Sequence, residues 1–180
     1  IRDNTVTSSG GFSTASGYGG GIAARNSDPR LEGIALAGNQ ITGTNSHKRG
    51  GALYLSNSDA LLVNNTLTGN SAGTTAGSQI FLAGGAVFNY ESHPVLVNNI
   101  LWNNTPDELH GSRTGLVGSF TVAYSDVQGG QAGIGNEGYT TVNWQEGNLD
   151  ADPLFVDAAN GDWSLQAGSP AVDAGTAYYQ

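Results

Sequence analysis

The sequence predicts an all-β protein whose short parallel strands stack as a β-helix, because one pattern of residues occurs three times along the chain. Each copy has a glycine pair, an apolar strand, a serine-led turn, two more apolar positions and an asparagine. Gly20, Gly51 and Gly85 mark the copies, which are offset by 31 and 34 residues. A period of this length with short apolar segments is typical of a solenoid. No stretch has the period of an amphipathic helix.

Residues at equivalent positions of the copies are expected to lie above one another inside the stack. Adjacent coils lie about 4.8 Å apart, so each core position needs similar side chains in every coil. Val122 and Val127 repeat the spacing of Leu96 and Leu101, which extends the pattern to about five coils. The predicted core columns are Leu31, Leu62 and Leu96; Leu36, Leu67 and Leu101; and Ile22, Leu53 and Val87.

Two further features recur at the bends. Asn39, Asn70 and Asn104 are in register, and asparagine tolerates left-handed backbone, so we expect each of them to turn the chain. Stacked asparagine amides also bond to one another, which predicts an amide ladder through these three residues. The glycine pairs, such as Gly50-Gly51, predict a bend too tight for a β-carbon.

Length and composition define the class of protein. The 180 residues suffice for one domain with a core, and only 12% of them are charged. The net charge is −9 and Lys48 is the only lysine, so no basic patch for nucleic acid can form. No apolar run approaches the roughly 18 residues of a membrane span. The absence of cysteine and methionine excludes disulfides and favours an extracellular or bacterial cell-surface location.

The chain is predicted to be one domain with two parts. Residues 1–130 form the coils, and the first coil is incomplete because Ile1 and Val6 are spaced like Leu31 and Leu36. Residues 131–180 form a final coil and a C-terminal cap. The end of a solenoid exposes its core and its strand edges, so apolar side chains of the cap are expected to cover them. Those side chains are Phe155, Trp163, Leu165 and Val172.

The C-terminal part carries two motifs, NLDADPLF at 148–155 and GSPAVDAG at 168–175. With the glycine–asparagine repeats, they resemble the right-handed parallel β-helix domains of bacterial surface proteins, above all the choice-of-anchor group. The repeats are also similar to those of polymorphic outer-membrane proteins and pectate-lyase-like folds. The resemblance implies export and surface display, and it carries no catalytic set onto this chain. Right-handedness follows from it and from the general preference of β-crossover connections.

Two sets of residues are candidates for a polysaccharide-active enzyme. Pectate-lyase-like enzymes need a strong base, and Lys48 and Arg49, beside His47, lie in a corner where the repeats differ in length. Glycoside hydrolysis needs two carboxyl groups in reach of one sugar, and Asp28 and Asp59 are expected to stack on adjacent coils. A solvated loop for the first set and turn capping for the second are the simpler interpretations.

Two more sets are candidates for binding. Tyr54 and Phe88 are equivalent positions that alternate with inward residues, so they predict either an outward aromatic strip for sugar rings or side chains packed under a loop. No cofactor is expected, with calcium as the alternative. An oxygen-rich segment near the C-terminus is of the kind that holds calcium, although its spacing fits no calcium motif and turn formation is the simpler interpretation. Its acids are Asp150, Asp152, Asp157 and Asp162.

The function expected first is non-enzymatic: a secreted or surface-displayed β-solenoid that serves as a structural stalk, an adhesin or a filament component of the extracellular matrix. Its partners would be polysaccharide or further copies of the chain stacked end to end. The alternatives are a polysaccharide lyase or glycoside hydrolase of the pectate-lyase-like fold, a fragment of one, or a carbohydrate-binding module. Neither nucleic-acid binding nor a membrane span is expected.

Overall fold

The computed structural model describes residues 1–8, 16–43, 47–73, 81–112, 117–136 and 138–177. Within them the chain consists of short β-strands separated by turns. Two single-turn 3-10 helices, Gln131–Gly133 and Ala158–Asn160, are the only helical segments in these ranges, and neither is long and apolar enough to cross a membrane. The strands are β1 (Thr5–Thr7), β2 (Ser16–Tyr18), β3 (Ile22–Arg25), β4 (Arg30–Glu32), β5 (Ala35–Ala37), β6 (Gln40–Thr42), β7 (His47–Arg49), β8 (Leu53–Ser56), β9 (Leu61–Val63), β10 (Thr66–Thr68), β11 (Leu82–Ala83), β12 (Val87–Tyr90), β13 (Val95–Val97), β14 (Ile100–Trp102), β15 (Leu109–Gly111), β16 (Gly118–Ala123), β17 (Asp126–Val127), β18 (Thr140–Trp144), β19 (Phe155–Asp157) and β20 (Asp162–Leu165).

Parallel pairing joins the strands of successive repeats. The three largest sheets have the strand orders β5-β10-β14-β17, β4-β9-β13-β16-β18 and β3-β8-β12-β15. A further parallel sheet contains β2, β7 and β11, and β1 pairs with β6. Among the described residues, β19 and β20 form the one antiparallel pair. The predicted all-β class with stacked parallel strands is therefore confirmed, and the arrangement is consistent with a β-solenoid.

The strand registers confirm the predicted core columns and extend each of them by one residue. Except for Ile22 and Leu31, every residue of the three columns is fully buried. Those two are partly buried and pack against the core from β3 and β4, each of which is the last strand of its sheet. Each fully buried leucine or valine stabilises the fold by about 1.5–3 kcal/mol relative to an exposed one. The columns are Leu31–Leu62–Leu96–Val122, Leu36–Leu67–Leu101–Val127 and Ile22–Leu53–Val87–Leu109.

The predicted asparagine ladder is present, and it lies one residue after a left-handed turn. Nδ2 of Asn39 donates to Oδ1 of Asn70 at 2.9 Å, and Nδ2 of Asn70 donates to Oδ1 of Asn104 at 2.8 Å. The expectation that these asparagines are themselves left-handed is wrong. The preceding residue turns the chain, so that the asparagine side chain points inward and its amide reaches the next repeat. The residues with positive φ are Gly38, Gly69 and Asn103.

The glycine pairs form bends that exclude a β-carbon, as predicted. A Cβ added to Gly51 would lie 2.4 Å from the carbonyl oxygen of Gly85. A Cβ added to Gly85 would lie 2.3 Å from the backbone nitrogen of Thr105. The obstructing backbone atom at Gly51 belongs to the next repeat, and the one at Gly85 directly follows Asn104 at the end of the same repeat. Both glycines therefore lie where two backbone segments come into close contact.

The C-terminal segment lies against the flank of the stack. Nδ2 of Asn98 donates to the carbonyl oxygen of Thr176 at 2.8 Å, and Oδ1 of Asn98 accepts from the Thr176 N–H at 2.9 Å. Trp163, expected to cover the open core, lines a cavity on this flank instead. Val142 and Trp144 of β18 pack against the core. Since β18 is the last strand of its sheet, its own inward side chains close the core at that end.

Candidate functional site

The basic residues His47, Lys48 and Arg49 form β7, and alternation along the strand gives them different surroundings. Nδ1 of His47 accepts a hydrogen bond from the N–H of Phe81 at 3.0 Å, so that nitrogen carries no proton. Lys48 is 1% exposed, and its Nζ has no hydrogen-bond partner among the described residues. Burial lowers the pKa of the Lys48 ammonium group. The three side chains therefore do not share one solvent-facing site.

Tyr54 and Phe88 stack with ring centroids 5.8 Å apart and planes 2° apart, inside a longer aromatic column. At one end of the column the ring centroids of Tyr18 and Tyr54 lie 4.5 Å apart, and at the other end those of Phe88 and His110 lie 5.9 Å apart. The guanidinium carbon of Arg49 lies 5.4 Å from the Phe88 ring centroid, at cation–π distance. Tyr54 and Phe88 are 5% and 1% exposed, which favours packing over an open sugar platform. Ligand binding at these two rings stays a prediction.

Asp28 and Asp59 stack as expected, and each carboxyl group caps the turn of the next repeat. Oδ1 of Asp28 accepts a hydrogen bond from the N–H of Asp59 at 2.8 Å. Oδ1 of Asp59 accepts one from the N–H of His93 at 2.7 Å. The next side-chain contact along the stack joins Nδ1 of His93 and Oγ of Ser119, which lie 2.9 Å apart. This geometry is that of a structural ladder along the stack, in agreement with turn capping.

The acids of the C-terminal segment each bond to a backbone N–H and do not converge. Oδ1 of Asp150 accepts from the N–H of Gly129 at 2.9 Å. Across the described ranges, no three acidic or histidine side chains come close enough to share a metal ion. Calcium binding by this segment stays a prediction. The other acids that accept a nearby backbone N–H are Asp152, Asp157 and Asp162.

Sequence reasoning missed a group of titratable residues at Asp107, Glu108 and His110. Nδ1 of His110 lies 2.5 Å from Oδ2 of Asp107. Nε2 of His110 is buried and has no hydrogen-bond partner in the described part of the chain. Oδ1 of Asp107 accepts from the N–H of Gly84 at 2.6 Å. Asp107 and Glu108 line a cavity of about 430 Å³, so this group combines two carboxyls and an imidazole that are able to transfer protons.

Glu108 ends the asparagine ladder. Its Oε1 accepts from the N–H of Asn104 at 3.0 Å, and its Oε2 accepts from Nδ2 of Asn104 at 2.5 Å. All amides of the ladder donate in the same direction, so the last donor needs an acceptor, which a carboxylate provides. Burial nevertheless raises the pKa of Glu108 to about 7, against the opposing effect of the two bonds from Asn104.

The signal for this group in the sequence is weak. Asp107-Glu108 follows Pro106, shortly after Asn104, and an acidic pair in a turn is common. Val87 pairs with Leu109, so the repeat is much shorter here than between the earlier copies, and spacing alone could not align the two strands.

No protein-family model, no curated protein and no solved structure matches this chain. The likeness to bacterial surface β-helix domains therefore stays a prediction from the motifs at 148–155 and 168–175.

Proposed function

We propose that this protein is a right-handed β-helix of about five coils, secreted or displayed on a bacterial surface, that acts as a rigid non-catalytic scaffold such as a stalk, an adhesin or a matrix component. One observation carries the proposal: the polar residues that recur with the repeat bond along the stack. Asn70 joins the repeats before and after it through four side-chain hydrogen bonds. Asp28 and Asp59, the best candidates for a hydrolytic pair, do the same through backbone N–H groups.

Rigidity follows from this bonding pattern. An inner strand of the stack bonds to neighbouring strands on both sides, and side-chain ladders add bonds between the turns. Solenoids stabilised by such contacts between neighbouring repeats form stiff, extended surfaces. A net charge of −9 with only six lysines and arginines suits a surface scaffold that does not bind nucleic acid.

The test is incubation of the purified protein with acidic and neutral polysaccharides, followed by assays for unsaturated products and for new reducing ends. We expect neither product. A matched control is the Asp28→Asn, Asp59→Asn double variant, which keeps the size of both side chains. Product release by the wild-type protein that disappears in this variant would overturn the scaffold proposal in favour of hydrolysis.

Localisation is tested separately. Antibodies against the protein should label intact cells of its source organism or the surrounding medium. Labelling that appears only after the cells are broken would contradict surface display.

A polysaccharide-active enzyme is the second candidate, and Glu108 is the observation that favours it. A carboxyl group with a pKa of about 7 beside a cavity is suited to act as a general acid near neutral pH. If the incubations above release product, Glu108→Gln should abolish it, and the exposed variant Glu146→Gln should not. Equal activity in both variants would remove Glu108 from this role.

Self-association is the third part of the proposal. Within the described residues, β4 and β18 are the outermost strands of their sheet, so each has a neighbour on one side. Unpaired strand edges are templates for pairing with another chain, which favours copies stacked end to end. Light scattering over a range of protein concentrations should show a mass that rises with concentration. A constant monomer mass would refute stacking.

A further inference from the structure

The C-terminal segment forms one wall of an open cavity of about 340 Å³ on the outer side of the sheet β5-β10-β14-β17. Leu101 and Val127 point into the core, so their neighbours Ile100 and Asp126 point outward, by the alternation of side chains along a strand. Ile100 and Asp126 line one side of the cavity, and Trp163 of β20 lines it from the C-terminal segment.

Asp126 carries an unsatisfied oxygen in this place. It is 3% exposed, and its Oδ1 accepts from the N–H of Ala151 at 3.1 Å. Its Oδ2 is buried and has no hydrogen-bond partner within the described ranges. An ionised Oδ2 lacks a donor and a protonated Oδ2 lacks an acceptor, so neither protonation state resolves the deficit. Buried polar groups almost always have a partner, which indicates one beyond the residues that the structure describes.

The other lining residues restrict the chemistry of that partner. Among the described residues that line the cavity there is no lysine, arginine or histidine, so none of them would neutralise an anion. Asp126 is the one acidic residue in the described part of the lining, whereas calcium takes six to eight oxygen ligands and usually several carboxylates. Apolar surface comes from Ile100, Leu149 and Leu165, and polar surface from residues that include Ser164. A neutral molecule with hydroxyl groups around an apolar face fits this mixture.

We propose that this cavity binds a single neutral sugar ring. A ring hydroxyl donates to Oδ2 of Asp126, and an apolar face of the ring lies against the indole of Trp163. A volume of about 340 Å³ is at the lower end of ligand sites, so it favours one ring over an extended chain. Asn98 holds the wall of the site in place through its two bonds to Thr176. The site is separate from the aromatic column at Tyr54 and does not depend on the scaffold function.

The experiment is isothermal titration calorimetry of the full chain with glucose, galactose, mannose, xylose and N-acetylglucosamine. We expect millimolar binding of at least one of these sugars, as is usual for a ligand of this size in one small pocket. Asp126→Asn should weaken binding roughly tenfold or more, because it removes a charged acceptor. Asp28→Asn is the matched control: it removes the same charge from an exposed acid outside the cavity lining and should leave affinity within about twofold.

Trp163→Ala provides a second variant if Asp126→Asn does not fold, and it should also abolish binding. Failure of all five sugars to bind would overturn the proposal, as would equal affinity of the wild-type and Asp126→Asn proteins. Tighter binding of glucuronate, of tetramethylammonium or of calcium than of any neutral sugar would also overturn it, because each would assign the cavity to a charged ligand.

Discussion

Replacing Asn70 by alanine is expected to destabilise the protein by about 2–6 kcal/mol. The Asn70 side chain is 1% exposed and makes four hydrogen bonds. Its Nδ2 donates to the Leu36 carbonyl and to Oδ1 of Asn104, both at 2.8 Å, and its Oδ1 accepts from N and Nδ2 of Asn39, both at 2.9 Å. Alanine leaves up to two of these buried partners unsatisfied, the Asn39 N–H and the Leu36 carbonyl, at about 1–3 kcal/mol each. The other two keep a bond, Oδ1 of Asn104 from the Asn70 N–H and Nδ2 of Asn39 to the Ile1 carbonyl. Such a loss is a large part of an ordinary domain's stability of about 5–15 kcal/mol.

The assay is urea unfolding followed by far-ultraviolet circular dichroism, with the wild-type and variant slopes compared so that the midpoints report stability. Asn70→Asp keeps the side-chain volume and both acceptances but cannot donate, so it should cost at least as much at neutral pH. Asn143→Ala is the matched control, because Asn143 is exposed and its side chain makes one bond of 3.3 Å to Thr121. A loss below about 1 kcal/mol for Asn70→Ala, or an equal loss for Asn143→Ala, would refute the importance of the ladder.

Three further predictions concern stability and are measured by the same unfolding assay. The pKa of Glu108 is raised from 4.5 to about 7, so protonated Glu108 stabilises the folded protein. This stabilisation is fully present below about pH 4.5 and is lost as pH rises through 7, by up to about 3 kcal/mol. A wild-type profile of stability against pH identical to that of Glu108→Gln would contradict this. Gly85→Ala should lower stability by about 3 kcal/mol because the added Cβ would clash with the Thr105 backbone. Gly168→Ala should be nearly neutral because a Cβ there would have no atom within 4 Å among those described. Equal effects of the two variants would refute the claim that the bend at Gly85 excludes a Cβ. Lys48→Leu should raise stability by about 1–2 kcal/mol because it removes a buried amine that has no partner among the described residues. A decrease in stability would show that the amine is bonded.

Much of the fold was predictable because the repeat itself carries the register. Leu62 and Leu96 lie at the same sequence distance from the glycine pair and the asparagine of their copies, and the structure pairs them directly. The position of the left-handed turn was predicted one residue too late. Gly69 and Asn70 are both compatible with positive φ, and only the requirement that the amide reach Asn104 decides that the glycine turns the chain.

The candidate sites were less predictable. The stacking of Asp28 and Asp59 followed from the period, but a period cannot show that each carboxyl would be used by the backbone N–H of the following repeat. Asp107 and His110 meet where the repeat shortens, so no regular spacing pointed to them. Asp126 is a candidate binding residue only because the segment around Trp163, more than thirty residues further along the chain, lines the same cavity.

The sequence by itself determined the class of fold, the core columns and the asparagine ladder. Stacking places each residue above its equivalent in the next repeat. Similar side chains at a fixed period therefore stabilise the stack, and the same period can be read in the sequence. Only the tertiary structure decided where the irregular parts lie: the C-terminal segment against the flank, Lys48 inside the stack and Asp126 at the wall of a cavity. These depend on contacts between residues without a shared period, and such contacts leave no repeating mark in the sequence.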